Sequence, residues 1–186
     1  MPDAGAGLSS QRLTLRRFTR ADLDLLDRLN SDPAVMRWLG GPATREDTRQ
    51  MLEGRMLRYY DEHPGLGAWA TLEKSGGACV GFHLLNHIRG EPHIQVGYRL
   101  FPEFWGRGYA TEMSVALLRY GFTELKLAQI TAIADLGNLA SQRVLTKAGL
   151  VRKGERRFAD PAYAAFGAMA WFECDAADWL AARRAA

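Results

Sequence analysis

The chain has 186 residues, 47% of them hydrophobic and 24% charged, with 24 basic and 21 acidic side chains and a formal net charge of +3. That length supports one domain with its own core, and those proportions argue against a disordered chain. The positive excess is too small for a nucleic-acid binder, and Cys79 and Cys174 are too few and too far apart for a disulfide framework or a structural zinc site.

Residues 1–10, rich in Gly, Ala and Ser, read as a loose tail ahead of a single domain over 11–186. No basic segment followed by an apolar core opens the chain, and the longest apolar run, 162–172, is interrupted by Gly167. A cytoplasmic protein with neither membrane nor nucleic acid as partner is therefore expected. Leu13 and Leu15 alternate with polar residues toward Phe18, the mark of a first strand. Thr19 with Asp22 forms a capping-box pattern that opens a helix with Leu25, Leu26 and Leu29 inward, ended by Asp32-Pro33. Residues 35–41 read as a loop carrying Trp38. A second box, Thr44 with Asp47, opens a longer helix with Leu52, Met56 and Tyr59 on one face.

Three strand-like runs come next, 67–74, 78–87 and 92–101, the first two joined by the turn Ser75-Gly76-Gly77. A glycine-rich loop then leads into a helix with Tyr109, Met113, Ala116 and Tyr120 along one stripe. After a strand at 128–135, a helix over 138–148 stops at Gly149, where a helix-ending glycine belongs. Two strands, 150–158 and 166–175, precede a short helix with Trp179 and Leu180, which Asp175 is placed to cap. The order βαα-βββ-α-β-α-ββ combines hairpins with helical crossovers, so an α/β fold with one mixed sheet and helices on both faces is expected.

The strand end Leu100-Phe101-Pro102, then Gly106 and Gly108, then a helix, has the pattern of an anion cradle. Glycines let backbone N–H groups approach a phosphate with no Cβ in the way. The helix start adds unpaired N–H groups and the positive end of the dipole, and Arg107 adds a cation. The spacing is neither a Walker loop nor a dinucleotide fingerprint, for Thr111 stands where the third glycine would fall. Alone, the same glycines also fit a turn leading into a core helix.

The run Gly97-Tyr98-Arg99-Leu100-Phe101-Pro102-x-x-Trp105-Gly106-Arg107-Gly108-Tyr109-Ala110-Thr111-Glu112 resembles the acyl-CoA motif of the GNAT N-acetyltransferases. Its form is closest to the subgroup that modifies ribosomal-protein N-termini. Farther on, Asn138-Leu-Ala-Ser141-Gln-Arg-Val144-Leu-Thr-Lys147-Ala-Gly149-Leu150 is similar to a second element of that subgroup. Arg12-Leu-Thr-Leu-Arg and Trp38-Leu-Gly-Gly also fit, so the resemblance runs from about Gln11 to Phe172. Three departures stand out: Trp105 where the wider superfamily has Gln or Arg, Leu150 for Phe, and Gln95 where many relatives carry the Glu that serves as general base.

The resemblance implies a mostly antiparallel sheet of six to seven strands flanked by helices, with the fourth and fifth strands splayed around the pantetheine arm of acetyl-CoA. Tyr98, Arg99 and Leu100 would bond that arm, and Trp105, Gly106, Arg107, Gly108, Tyr109, Ala110 and Thr111 would surround the pyrophosphate. Asn138 and Lys147 would complete the cofactor site, without a metal. An amine attacks the thioester directly, with Ser141 donating a proton to the leaving sulfur. The base stays open among His83, His87, His93 and Glu91, with His83 and His93 placed beside Ser141 in the catalytic set; a histidine's ordinary pKa suits the task. Trp38, Trp69 and Tyr163 are the aromatic candidates for the acceptor cleft. The acceptor would be a small amine or a protein N-terminus, and the protein a monomer or homodimer. A larger donor such as succinyl-CoA, or a non-catalytic acyl-CoA sensor, are the alternatives.

Overall fold

Seven strands form one sheet in the order β1-β2-β3-β4-β5-β7-β6. They are β1 (Leu13–Arg17), β2 (Gly67–Glu73), β3 (Cys79–His87), β4 (Ile94–Leu100), β5 (Gln129–Asp135), β6 (Val151–Arg156) and β7 (Met169–Asp175). The computed structural model describes residues 8–184. All neighbours pair antiparallel except β4 and β5, which run parallel and meet at a single pair, Gln95 with Thr131. Beyond that pair the two strands diverge, and the opening between them is where the site forms.

Side-chain alternation divides the sheet into two faces. Trp69, Leu85, Val96 and Leu100 point to one side, where Met113, Leu117 and Leu118 of α5 (Tyr109–Thr123) cover them. Ala68, Ala70 and Phe82 point to the other, onto Leu26 and Leu29 of α1 (Leu23–Ser31), Val35 of α2 (Pro33–Met36), and Leu52 and Met56. The periodic leucines of the sequence thus become the contact between the N-terminal helices and the sheet.

Both capping boxes form. The Asp22 carboxylate accepts from the Thr19 N–H at 2.8 Å, and the Thr44 hydroxyl accepts from the Asp47 N–H at 3.1 Å. The second opens α3 (Arg45–Met51), which continues through one π-helical segment, Leu52–Met56, into α4 (Leu57–Glu62). A π turn widens the helix and rotates the turns after it, a distortion common at functional sites. The sequence pattern read this stretch as one regular helix. The supposed loop at 35–41 begins instead inside α2, where the Asp32 side chain accepts from Ala34 N–H and Val35 N–H and Pro33 occupies the first turn.

The last two strands are shorter than expected, with a longer connection between Arg156 and Met169 that carries a 3-10 turn, Pro161–Tyr163. After α6 (Leu139–Ala148) comes Gly149 with φ +108, the left-handed stop. Asp175 ends β7 with its carboxylate accepting from Gln129 at 3.0 Å, and α7 (Ala176–Arg184) begins at the next residue. Residues 1–7 of the expected tail lie outside the described residues; Leu8 accepts from the Leu15 N–H, and the Ser10 hydroxyl donates to Glu112. No helix of the described residues is long and apolar enough to cross a membrane.

Candidate active site

A cleft of about 800 Å³ passes through the opening between β4 and β5 and is lined from both faces of the sheet. On the α5 side lie Tyr98, Leu100, Trp105, Gly106, Gly108, Tyr109, Ala110, Thr111, Asn138, Ser141 and Lys147. On the side of the N-terminal helices lie Trp38, Met51, Arg55, Met56, Tyr59, Asn86, Gln95, Arg99, Tyr163 and Phe166. The first group, largely backbone, is the side where the sequence motifs lead one to expect the donor and is called the donor half; the second, made of side chains, is called the acceptor half.

In the donor half, Gly106 and Gly108 have φ of +74 and +80, and Gly108 is the N-cap of α5 with no side chain capping it. A Cβ at Gly106 would meet nothing within 4 Å, and one at Gly108 only Arg12 Nη2 at 3.5 Å. The glycines are therefore needed for left-handed backbone, and the surface they leave is open. The uncapped N–H groups of α5 face it, which fits a phosphate-bearing group. An acid in the first helical turn, Glu112, would repel such a group if it were free. Ser10 and Arg12 occupy it: Arg12 Nε donates to Oε2 at 2.6 Å and the Ser10 hydroxyl to Oε1 at 2.6 Å. Burial pushes the Glu112 pKa up, but these bonds outweigh it and hold the carboxyl below its ordinary value. Arg12 also donates to the Arg107 carbonyl at 3.0 Å and stacks over the Tyr109 ring. It is the strut of the loop.

Tyr98 and Ser141 meet at the inner end of this half. The Tyr98 hydroxyl donates to Ser141 Oγ at 3.3 Å, leaving the serine's own proton free to go elsewhere. Burial raises the Tyr98 pKa and the bond to Ser141 opposes it, so the phenol stays protonated. Ser141 is fixed from behind, since its N–H donates to Asn138 Oδ1 at 3.1 Å as part of the α6 cap.

Several expected site residues lie elsewhere. Trp69 is 0% exposed and sits on the α5 face of β2, because its neighbour Ala68 takes the acceptor face; it cannot line the cleft. His83, the cross-strand partner of Trp69, is also 0% exposed and is hydrogen-bonded to Thr71 at 2.8 Å. Burial, opposed by the nearby Ala110 backbone, lowers its pKa to about 3, so it is neutral and out of reach of an amine. His93 packs edge-on against Trp171 outside the cleft, 4.0 Å from Glu91, whose carboxylate pairs with Arg156 at 2.9 Å. His87 bonds Tyr59, its Nδ1 2.6 Å from the phenol oxygen, and itself lies behind the cleft wall. The Arg107 side chain turns away to Glu73 at 3.8 Å and stacks on Phe104.

Trp38 and Tyr163 do line the acceptor half. Trp38 closes its top against Gly137, where a Cβ would lie 2.7 Å from the indole; Phe166 meets the loop at Gly40. The Gln95 amide donates to Asn86 Oδ1 at 3.3 Å, so the pair faces the cleft without a proton acceptor of basic strength. Sequence reasoning missed Arg55, Asn86 and Phe166. The register of Asn86 opposite Gln95 was the one available clue; Arg55 reaches the cleft through the π segment, which left no pattern.

The acetyltransferase (GNAT) domain family model matches residues 12–151. The chain is 31% identical over 157 residues to the uncharacterized N-acetyltransferase YoaA of Bacillus subtilis, covering 81% of this chain and 85% of that protein. It is 27% identical over 148 residues to the spermidine N(1)-acetyltransferase of Escherichia coli K12, covering 79% and 77%. The acetyltransferase structure from Agrobacterium tumefaciens C58 superposes with a TM-score of 0.76 at 25% identity, covering 89% of this chain and 92% of that one. Together with the divided sheet, these define an acyl-CoA-dependent N-acetyltransferase, which moves an acetyl group to an amine. The chain belongs to the GNAT acetyltransferase family.

Proposed function

We propose that transfer takes place in the opening between β4 and β5, with acetyl-CoA on the donor half, a primary amine entering from the acceptor half, and Ser141 protonating the departing sulfur. The observation that carries this reading is the Tyr98–Ser141 hydroxyl pair at the junction of the two halves. Bound there, acetyl-CoA supplies an activated acyl carbon and a thiol leaving group. Backbone N–H groups of 106–111 would hold its phosphates, and Lys147, which lines the same half from α6, would add a cation. Tyr98 is a positioning residue: by donating to Ser141 Oγ it leaves the serine proton aimed outward and makes that proton easier to give up.

No histidine faces the cleft among the described residues, and Gln95 takes no proton. The amine therefore loses its proton to water, within reach of the Gln95–Asn86 pair. The two motifs follow the subgroup that acetylates protein N-termini, while a relative is named for spermidine, so a primary amine is the acceptor class common to both. Free CoA release from acetyl-CoA, measured against a panel of peptides and small amines, tests the reading. Ser141→Ala should lower kcat about 100-fold, the scale of a lost general acid. Its acetyl-CoA affinity by calorimetry should stay within about twofold, because the phosphate contacts are made elsewhere. An unchanged kcat would remove Ser141 from the proton path.

A further inference from the structure

The acceptor half is unbalanced in charge. Three arginines line it, Arg37, Arg55 and Arg99, and none has a carboxylate partner among the described residues. Arg37 lies over the Trp38 ring at 4.8 Å. Arg99 is held by the Asn30 side-chain oxygen and lies over Phe82 at 5.3 Å. Arg55 makes no hydrogen bond and no ion pair with any described residue. The one carboxylate lining the cleft among the described residues is Asp135, and it is engaged at the end of β5, accepting from the Gly137 N–H at 2.8 Å.

Arg55 is partly buried, and that burial, with Arg89 nearby, lowers its pKa; the phenols of Tyr59 and Tyr163 and the carboxylate of Asp160 oppose the shift. Asp160 is already committed to Arg89, at 3.7 Å. On its outer side Arg55 borders a second depression carrying Glu46, Asp47, Glu53 and Asp61, yet it pairs with none of them. Glu46 is taken by Arg49, and Asp47 by the cap at Thr44. A partly desolvated guanidinium is unfavourable without an anion. Here the π turn, beside Tyr59, places such a group between a ligand cleft and those acids, paired with no described carboxylate on either side.

Resting on the acetyl-transfer reading above, we infer that the acceptor is a primary amine that also carries a carboxylate, and that Arg55 is the residue that binds this carboxylate. The planar fork of a guanidinium matches a carboxylate through two parallel hydrogen bonds, which orients the amine as well as holding it. The aromatic walls Trp38, Tyr59, Tyr163 and Phe166 would then enclose the body of the molecule between its two ends. A polyamine is disfavoured, since it would bring positive charge to three arginines that no described carboxylate neutralises. The likeness to a spermidine acetyltransferase therefore does not extend to the acceptor.

The test measures CoA release from acetyl-CoA with the common α-amino acids, with their carboxamides, and with spermidine. The carboxamides have the less basic amines, so intrinsic reactivity favours them. At least one acid should exceed its carboxamide in kcat/KM by tenfold or more, and Arg55→Met should shrink that ratio at least tenfold. Acetyl-CoA affinity of Arg55→Met should stay within twofold, which separates loss of the carboxylate site from loss of the fold. Carboxamides or spermidine serving as well as the acids would overturn the proposal. Should no amine release CoA, the transfer reading fails, and calorimetry with N-acetyl amino acids and their carboxamides in the presence of CoA decides the rest. Preference for the acid, lost in Arg55→Met, upholds the carboxylate site; equal binding overturns it.

Discussion

The donor and acceptor halves of the cleft are built from different material. The donor half is backbone: two left-handed glycines, an uncapped helix start and a strand edge, with Arg12 and Glu112 as its brace. The acceptor half is side chains from four separated stretches, α2 and its loop, the π segment, the β3–β4 pair and the β6–β7 connection. A backbone cradle tolerates much sequence change around fixed glycines, whereas a side-chain wall changes its chemistry with each substitution. The contrast suits an enzyme that keeps one donor and varies its acceptor.

Changes beneath each half should separate them, and the largest effect belongs to the scaffold. His83 is neutral in the fold, its pKa pushed from the ordinary 6.5 to about 3. Below about pH 6.5 the unfolded chain gains a proton that the folded chain refuses until about pH 3. Stability should therefore fall as the pH drops through that window, by up to about 1.4 kcal/mol per pH unit. Urea titrations of His83→Asn should show a flatter slope over the same range; an identical slope would mean that His83 is not the group responsible.

Next in size is Gly108→Val, which forces a β-branched residue to φ near +80. Strain of about 1–3 kcal/mol at such a position should raise the acetyl-CoA KM about 10- to 100-fold while the ranking of acceptors stays the same. A folded variant with normal kinetics would place the donor elsewhere. Tyr98→Phe removes the bond to Ser141 and should lower kcat about 10-fold with little change in either KM, as stopped-flow turnover would reveal. Smallest is Gly137→Ala, whose methyl group would press on Trp38. Displacing the indole by a local overpacking of about 1 kcal/mol should raise the acceptor KM about fivefold and leave the donor KM alone. An equal rise in both would blur the division of the cleft.

The same division explains what could be read from the sequence. Gly106, Gly108, Asn138 and Gly149 act through backbone geometry set within a few residues, so their spacing sufficed to locate the loop, the α6 cap and its end. The strand sequence and the helices on both faces came from alternation and capping. Which face a residue occupies did not: the residue types of Trp69 and His83 suit the cleft, but the register of β2 with β3 turns both into the α5 core. Arg107 read as a cation for the phosphates, yet Glu73, distant in sequence, draws it away. The acceptor wall was least legible, since the π segment and the 3-10 turn that aim Arg55 and Tyr163 arise from tertiary packing and leave no periodic trace.

The lone pairing of Gln95 with Thr131 has one more consequence. With one rung at its centre, the sheet amounts to two ladders, β1–β4 and β5–β7, leaning on a shared step. A molecule lodged between them and bonded to both strand edges acts as the missing rungs. A donor bound there, as proposed above, would be part of the architecture for as long as it stayed, and its departure would leave only the one rung. Amide hydrogens along the facing edges of β4 and β5 should report that cycle, exchanging slowly while the rungs are in place and quickly once they are gone.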